Sequence, residues 1–197
     1  MKRLIVSLAL LATVGGAGPA TAGTLERAPR YLPSVVDDGM AFPVARSNWY
    51  SVINFHNDWH APRMRKIDGK WRQVGLHEGN DIFAEPGTPI RAVLGGTVER
   101  TGWTFYSGWR IGVRGDDGRY WFYAHMMSYD PSAVTGARVE AGDPLGVVGN
   151  TGYGEDPGHK DEFIHHLHLG IQEPDGTWVN PYPLMRSLYR AAVKAER

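Results

Sequence analysis

From about residue 76 onward the chain is a series of short apolar runs separated by Gly, Pro, Asn and Asp, the pattern of short strands joined by turns. The clearest run is His166-Leu167-His168-Leu169-Gly170-Ile171. Successive side chains on a strand point to opposite faces, so His166 and His168 share one face while Leu167 takes the other. His165 then points away from His166, toward the surface or a supporting position. Ile90 to Val98 predicts a strand pair interrupted at Gly95-Gly96. Trp109 to Arg114 and Arg119 to Met126 flank Asp116-Asp117-Gly118, a hairpin signal. Val139 to Val148 holds another turn at Ala141-Gly142-Asp143-Pro144, and Asp175-Gly176 separates the His-bearing strand from Thr177-Trp178-Val179. No helical period emerges between Leu76 and Tyr182. One helix is predicted over 184–197: Pro183 suits its first position, and Leu184, Leu188 and Ala191 or Ala192 recur at helical spacing. The fold class is therefore mainly β with a short C-terminal helix.

The N-terminus has a different pattern. Lys2-Arg3, the apolar stretch Leu4 to Val14 and the A-x-A site Ala20-Thr21-Ala22 read as a signal peptide over residues 1–22, with the mature chain starting at Gly23. The stretch is too short for a membrane span and is broken by Gly15-Gly16. Residues 23–54 read as an N-terminal arm, and the part from Gly23 to about Asn48 is a candidate to lie across a site and restrain it. Removing Lys2 and Arg3 from 21 basic residues against 21 acidic ones leaves a net charge of −2. That balance argues against nucleic acid or an anionic membrane as partner. There is no Cys, so neither a disulfide nor a lipid-modified cysteine anchor is available. Any metal must be held by His and carboxylate.

Those residue types occur where the pattern makes them useful. Two imidazoles on one strand face can share a metal, and His77-Glu78-Gly79-Asn80-Asp81 far upstream supplies another histidine and a carboxylate. Two histidines and one carboxylate make a catalytic zinc set that leaves a fourth position for water. No H-E-x-x-H occurs, so no glutamate base of that kind is implied.

Taken in order, these motifs resemble the LytM/lysostaphin-type zinc peptidases. The first is His77-Glu78-Gly79-Asn80-Asp81-Ile82 followed by Pro86-Gly87-Thr88-Pro89-Ile90; then come Tyr123-Ala124-His125-Met126, Gly149-Asn150-Thr151-Gly152 and His166-Leu167-His168. Asp58-Trp59-His60-Ala61-Pro62-Arg63 is similar to a Trp-Gly-Ala-Pro-Arg stretch upstream of the first motif in some members. The resemblance covers 55–183, a metallopeptidase domain bounded by the arm and by the helix. It implies a mostly antiparallel β core with an open groove, and one Zn²⁺ held by His77, Asp81 and His168. It further implies that His125 and His166 face the reacting water without binding the metal tightly, and that the substrate is peptide of bacterial cell-wall peptidoglycan. His166 is the better general base because it shares a face with His168, leaving His125 to orient water or stabilise the oxyanion. Two positions depart from the pattern: Gly170, where many relatives carry Glu, and His60, where the upstream stretch has Gly.

The remaining readings are local. His56, His60 and His159 are expected to hydrogen-bond nearby rather than bind metal. Trp121 is expected to pack, and Trp103, Tyr106 and Trp109 to wall the groove. The charged stretch 156–162 adjoins the H-x-H strand and is a candidate to shape specificity. The function these readings predict is an exported, monomeric zinc endopeptidase of peptidoglycan, periplasmic or secreted. The rivals are a non-catalytic wall-binding module on the same fold and a metallopeptidase of exported proteins.

Overall fold

A computed structural model describes residues 35–36, 39–45 and 53–195. The signal peptide expected over residues 1–22 lies outside them. The described residues form fourteen strands and one helix. They are β1 (Val35–Val36), β2 (Met40–Ala41), β3 (Ile53–Asn54), β4 (Pro62–Ile67), β5 (Lys70–Leu76), β6 (Asn80–Ala84) and β7 (Pro89–Arg91). There follow β8 (Gly96–Thr104), β9 (Gly108–Gly115), β10 (Tyr120–Tyr129), β11 (Arg138–Val139), β12 (Pro144–Val148), β13 (His166–Gln172), β14 (Trp178–Val179) and α1 (Tyr182–Ala195). The main sheet runs β11-β8-β9-β10-β13-β6-β3, with β12 pairing β10 and β7, and β14 pairing β13. Every pairing is antiparallel.

Alternation explains how this sheet separates core from groove. On β13, Leu167, Leu169 and Ile171 are buried in the core, together with Trp121 and Tyr123 of β10 and Ile82 of β6. His166 and His168 occupy the intervening positions, with Phe122 and Ala124 at the matching positions of β10 and Asp81 and Phe83 at those of β6. The turn at residues 116–119 joins β9 to β10 as the Asp-Asp-Gly signal predicts. The helix starts one residue before Pro183 and buries Met185, Leu188 and Ala192. Trp121 is fully buried, as expected, and its indole N–H donates to Asp117.

Two features lie outside the sequence expectations. Residues 39–45, placed in the expected arm, are part of the core: Ala41, Phe42, Val44 and Ala45 are buried. Phe42 packs against Tyr189 of the helix and Phe55, with centroids 5.2 and 5.7 Å away. The second is the hairpin β4–β5, a separate two-stranded unit that walls the groove. Its turn, Asp68-Gly69, has φ of 49° and 77°, the two positive values that an Asp-Gly hairpin turn accommodates.

Candidate metal centre and groove

Register brings the centre together. On the β6–β13 ladder His168 lies directly opposite Asp81, and His166 opposite Phe83. His77 sits just before β6, one helical-type spacing from Asp81 in sequence but on a loop. The chain can pack this tightly because residue 79 is glycine: a Cβ there would collide with the ring of His168 and the carbonyl of Leu169. His77 Nε2 lies 2.9 Å from His168 Nδ1 and 3.0 Å from Asp81 Oδ1, and His168 Nδ1 lies 3.0 Å from the same oxygen. Three potential ligand atoms thus form a nearly equilateral triangle. In a tetrahedral site with bonds of about 2.0 Å, ligand atoms lie about 3.3 Å apart, close to these edges.

The donor chemistry calls for a positive charge at this triangle. His77 Nδ1 lies 3.1 Å from the backbone oxygen of Asp58 and 3.2 Å from its carboxylate, both acceptors, so Nδ1 carries the hydrogen. Neutral His77 therefore turns a lone pair at Nε2 toward the carboxylate of Asp81. Burial alone would push the His77 imidazole down, but hydrogen bonds with Asp58 and Asp81 lift it to about 9. Burial opposes ionisation of Asp81, yet hydrogen bonds from His168 and His77 hold its carboxyl far below the usual range. A divalent cation satisfies the same three acceptors without a proton, so the residues fit a metal.

Asp58 is a supporting residue that the sequence did not single out. Besides orienting His77 it accepts from the side-chain amide of Asn80 at 2.8 Å. A carboxylate on the far nitrogen of a ligand histidine is a recurring way to fix ring orientation. Arg63 is another: its Nη2 donates to the second oxygen of Asp81 at 3.1 Å.

His125 and His166 stand beside the triangle, both buried, with ring centroids 4.8 Å apart. His125 reaches this face through a bulge. Ordinary alternation after Tyr123 would aim it into the core, but the register slips between Tyr123 and Met126, and His125 takes φ of 62°. Its Nδ1 donates to the Thr151 carbonyl at 2.8 Å, and Nδ1 of His166 donates to the Ile164 carbonyl at 2.6 Å. Each ring therefore keeps a bare Nε2, and that of His166 lies 3.7 Å from Asp81 Oδ1. Burial pushes both imidazoles below their ordinary value, further for His125, where His166 and His168 add to the effect. Both stay neutral, and able to accept a proton, down to pH values below 6.5. The acid limb of a kcat/KM–pH profile is accordingly expected below pH 6.5. An acid-side midpoint at or above that value would contradict the assignment.

The groove that holds these groups has a volume of about 1060 Å³ and runs between the hairpin β4–β5 and the segments around Tyr106 and Phe163. Tyr106 lines it, as expected. Trp103 and Trp109 do not: they pack edge to face at 5.4 Å, and Trp109 also packs on Tyr129. The aromatic wall is built instead by Trp71, Phe83, Phe105, Phe122, Tyr153 and Phe163. Sequence pattern could not separate these from core aromatics.

The two departures have local explanations. His60 has φ of 61°, a left-handed conformation that glycine adopts freely, and its ring stacks on Trp59 at 4.4 Å. At Gly170 a Cβ would lie 2.7 Å from Trp178, so the indole fills the space a larger side chain would need. Gly170→Glu is expected to destabilise the fold by about 1–3 kcal/mol, measured by denaturant unfolding, because Trp178 must move. Unchanged stability would show that Trp178 yields freely. His159 bonds locally to Glu162 at 3.0 Å, and His56 contributes its carbonyl to Asn80. Among the described residues His77, Asp81 and His168 form the single metal-ligand group of three.

An antiparallel sheet presenting this cluster in an open groove defines the LytM/lysostaphin class of catalytic domain. The chain belongs to peptidase family M23, whose profile matches residues 75–181. It is 41% identical over 118 residues to the L-Ala–D-Glu endopeptidase of Bacillus subtilis, covering 58% of this chain and 36% of that protein. It is 33% identical over 116 residues to lysostaphin of Staphylococcus simulans, covering 57% of this chain and 22% of that one. The chain therefore spans about a third or less of the length of these relatives. Among solved structures, a lytM protein of Ruminococcus gnavus superposes with a TM-score of 0.66 at 34% identity, covering 80% of this chain and 63% of that one. The catalytic domain of lysostaphin does so with a TM-score of 0.51 at 28% identity, covering 71% and 94%.

Proposed function

We propose that the protein is an exported zinc endopeptidase that hydrolyses peptide bonds of bacterial peptidoglycan. The observation that carries this is the convergence of His77 Nε2, Asp81 Oδ1 and His168 Nδ1 within 3.0 Å, with two neutral imidazoles beside them in one groove. His77, Asp81 and His168 would hold one zinc ion, which when bound supplies Lewis acidity toward a carbonyl and toward water. His166 Nε2 accepts the proton of the attacking water and returns it to the leaving amine. His125, whose Nδ1 hydrogen is committed to Thr151, offers only a lone pair at Nε2 while neutral; of its two expected roles it therefore suits orienting the water. Arg63 and Asp58 keep Asp81 and His77 in place.

Wall peptide as substrate rests on the family and on relatives named for cutting it. Export rests on the sequence of residues 1–22, and the protein would then work in a periplasm or outside the cell as a monomer. No helix among the described residues is long and apolar enough to cross a membrane. The rival non-catalytic module is disfavoured because all three ligand positions and both histidines are present. Digestion of purified sacculi beside elastin separates the remaining rival. Release of wall peptides with elastin intact is expected. Cleavage of elastin with intact sacculi would overturn the wall as substrate.

A further inference from the structure

Strand β4 alternates between exposed and half-buried positions from Pro62 to Arg65, with Arg63 and Arg65 the half-buried ones. Side chains two apart on a strand share a face, so Arg65 follows Arg63 along the groove wall, roughly 7 Å further on. Arg63 anchors that face to the metal centre through Asp81. Arg65 lines the groove with its guanidinium over the Phe105 ring, 4.7 Å from the centroid, and donates Nη1 to the Tyr106 hydroxyl at 3.3 Å. The group is thus held in place by neutral partners. Among the described residues no carboxylate pairs with Arg65, whereas Arg63, Arg114, Arg119 and Arg138 each have one.

The opposite strand strengthens the point. Register sets Arg72 directly across from Arg65. Like charges at directly opposed positions repel, so the hairpin gains nothing from this pair by itself. Arg72 also has no carboxylate partner among the described residues. A planar guanidinium with free donors, preset on an aromatic wall and backed by a second cation, suits a carboxylate. Its place, two residues along β4 from Arg63, whose guanidinium reaches Asp81, suits a group on a residue near the bond being cut.

We propose that Arg65, supported by Arg72, binds a free carboxylate carried by the substrate peptide beside its scissile bond. This rests on the reading of the chain as a wall peptidase. In wall stems a D-glutamyl residue joined through its side-chain carboxyl leaves its α-carboxylate free next to the backbone amide. That residue is the chemical class the site would select, and a run of uncharged glycines would lack it.

The test uses two stem peptides that differ only in whether that α-carboxylate is free or amidated. Wild-type enzyme is expected to cleave the free acid with kcat/KM about 10- to 100-fold higher than the amide, a ratio typical of one charge-assisted pair. Arg65→Gln should lower the value for the acid to that for the amide, chiefly through KM, and leave the amide within about threefold. Arg65→Lys should recover part of the ratio. Equal cleavage of both peptides by wild type, or an equal loss on both in Arg65→Gln, would overturn the proposal. If neither peptide nor sacculi are cut, the wall-peptidase reading fails instead. Calorimetric titration of the two peptides into His166→Ala then decides carboxylate binding by itself: tighter binding of the acid that disappears with Arg65→Gln supports it, and equal binding overturns it.

Discussion

Asp81→Ala is expected to remove metal binding and to lower stability even without metal. Asp81 is the only acid in the triangle, and its carboxylate lies 3.0–3.1 Å from His77 Nε2, His168 Nδ1 and Arg63 Nη2. Its loss leaves a buried imidazole pair and a guanidinium facing one another with no anion between them. Removing one partner of a buried charge cluster costs about 3–5 kcal/mol, and the lower end applies because the Arg63 side chain, 35% exposed, can turn to solvent. Metal affinity should fall more than about 100-fold, beyond the loss typical for a supporting residue. Scanning calorimetry with and without zinc reads both effects. Wild type should melt higher with zinc, because binding is coupled to folding, and the variant should show no such rise. A variant that keeps both the zinc-dependent rise and the wild-type melting temperature would remove Asp81 from the centre.

His166→Ala should separate catalysis from binding. Its Nε2 is bare because Nδ1 is fixed on the Ile164 carbonyl, and it faces Asp81 from 3.7 Å rather than joining the 2.9–3.0 Å triangle. Zinc content and unfolding behaviour should stay near wild type, while turnover falls about 10²–10⁴-fold, the usual contribution of a positioned general base. His168→Ala should do the reverse, losing zinc first. If His166→Ala lost the metal and His168→Ala kept it, the two roles would be exchanged.

How much of this was legible in the chain varies by residue, for physical reasons. The alternation of His166, Leu167 and His168 predicted a shared face, and the β13 register places both imidazoles on the groove side with Leu167 in the core. The Asp116-Asp117-Gly118 turn and the terminal helix were equally readable, because turn chemistry and amphipathic period are local signals. His125 was not readable by period, since its placement depends on a bulge that reverses strand alternation. Only the resemblance points to it. The hairpin β4–β5 carries one local signal, the Asp-Gly turn within Ile67-Asp68-Gly69-Lys70. Its strands are mostly exposed and rich in Arg and Lys, so no apolar alternation marked them. Residues 39–45 are too short to show a period, yet bury Phe42 against the helix at the other end of the chain. Asp58 and Arg63 act through long-range contacts with His77, Asn80 and Asp81, which spacing alone could not foresee.

The most direct test of the central claim joins metal content to activity. Residues 23–197 would be purified, zinc counted by elemental analysis, and sacculi digested before chelation, after chelation and after zinc is restored. The account predicts about one zinc per chain, with wall peptides released at first, none after chelation, and release regained with Zn²⁺. Cleavage that survives full removal of metal, or a protein that neither holds zinc nor releases wall peptides, would contradict it.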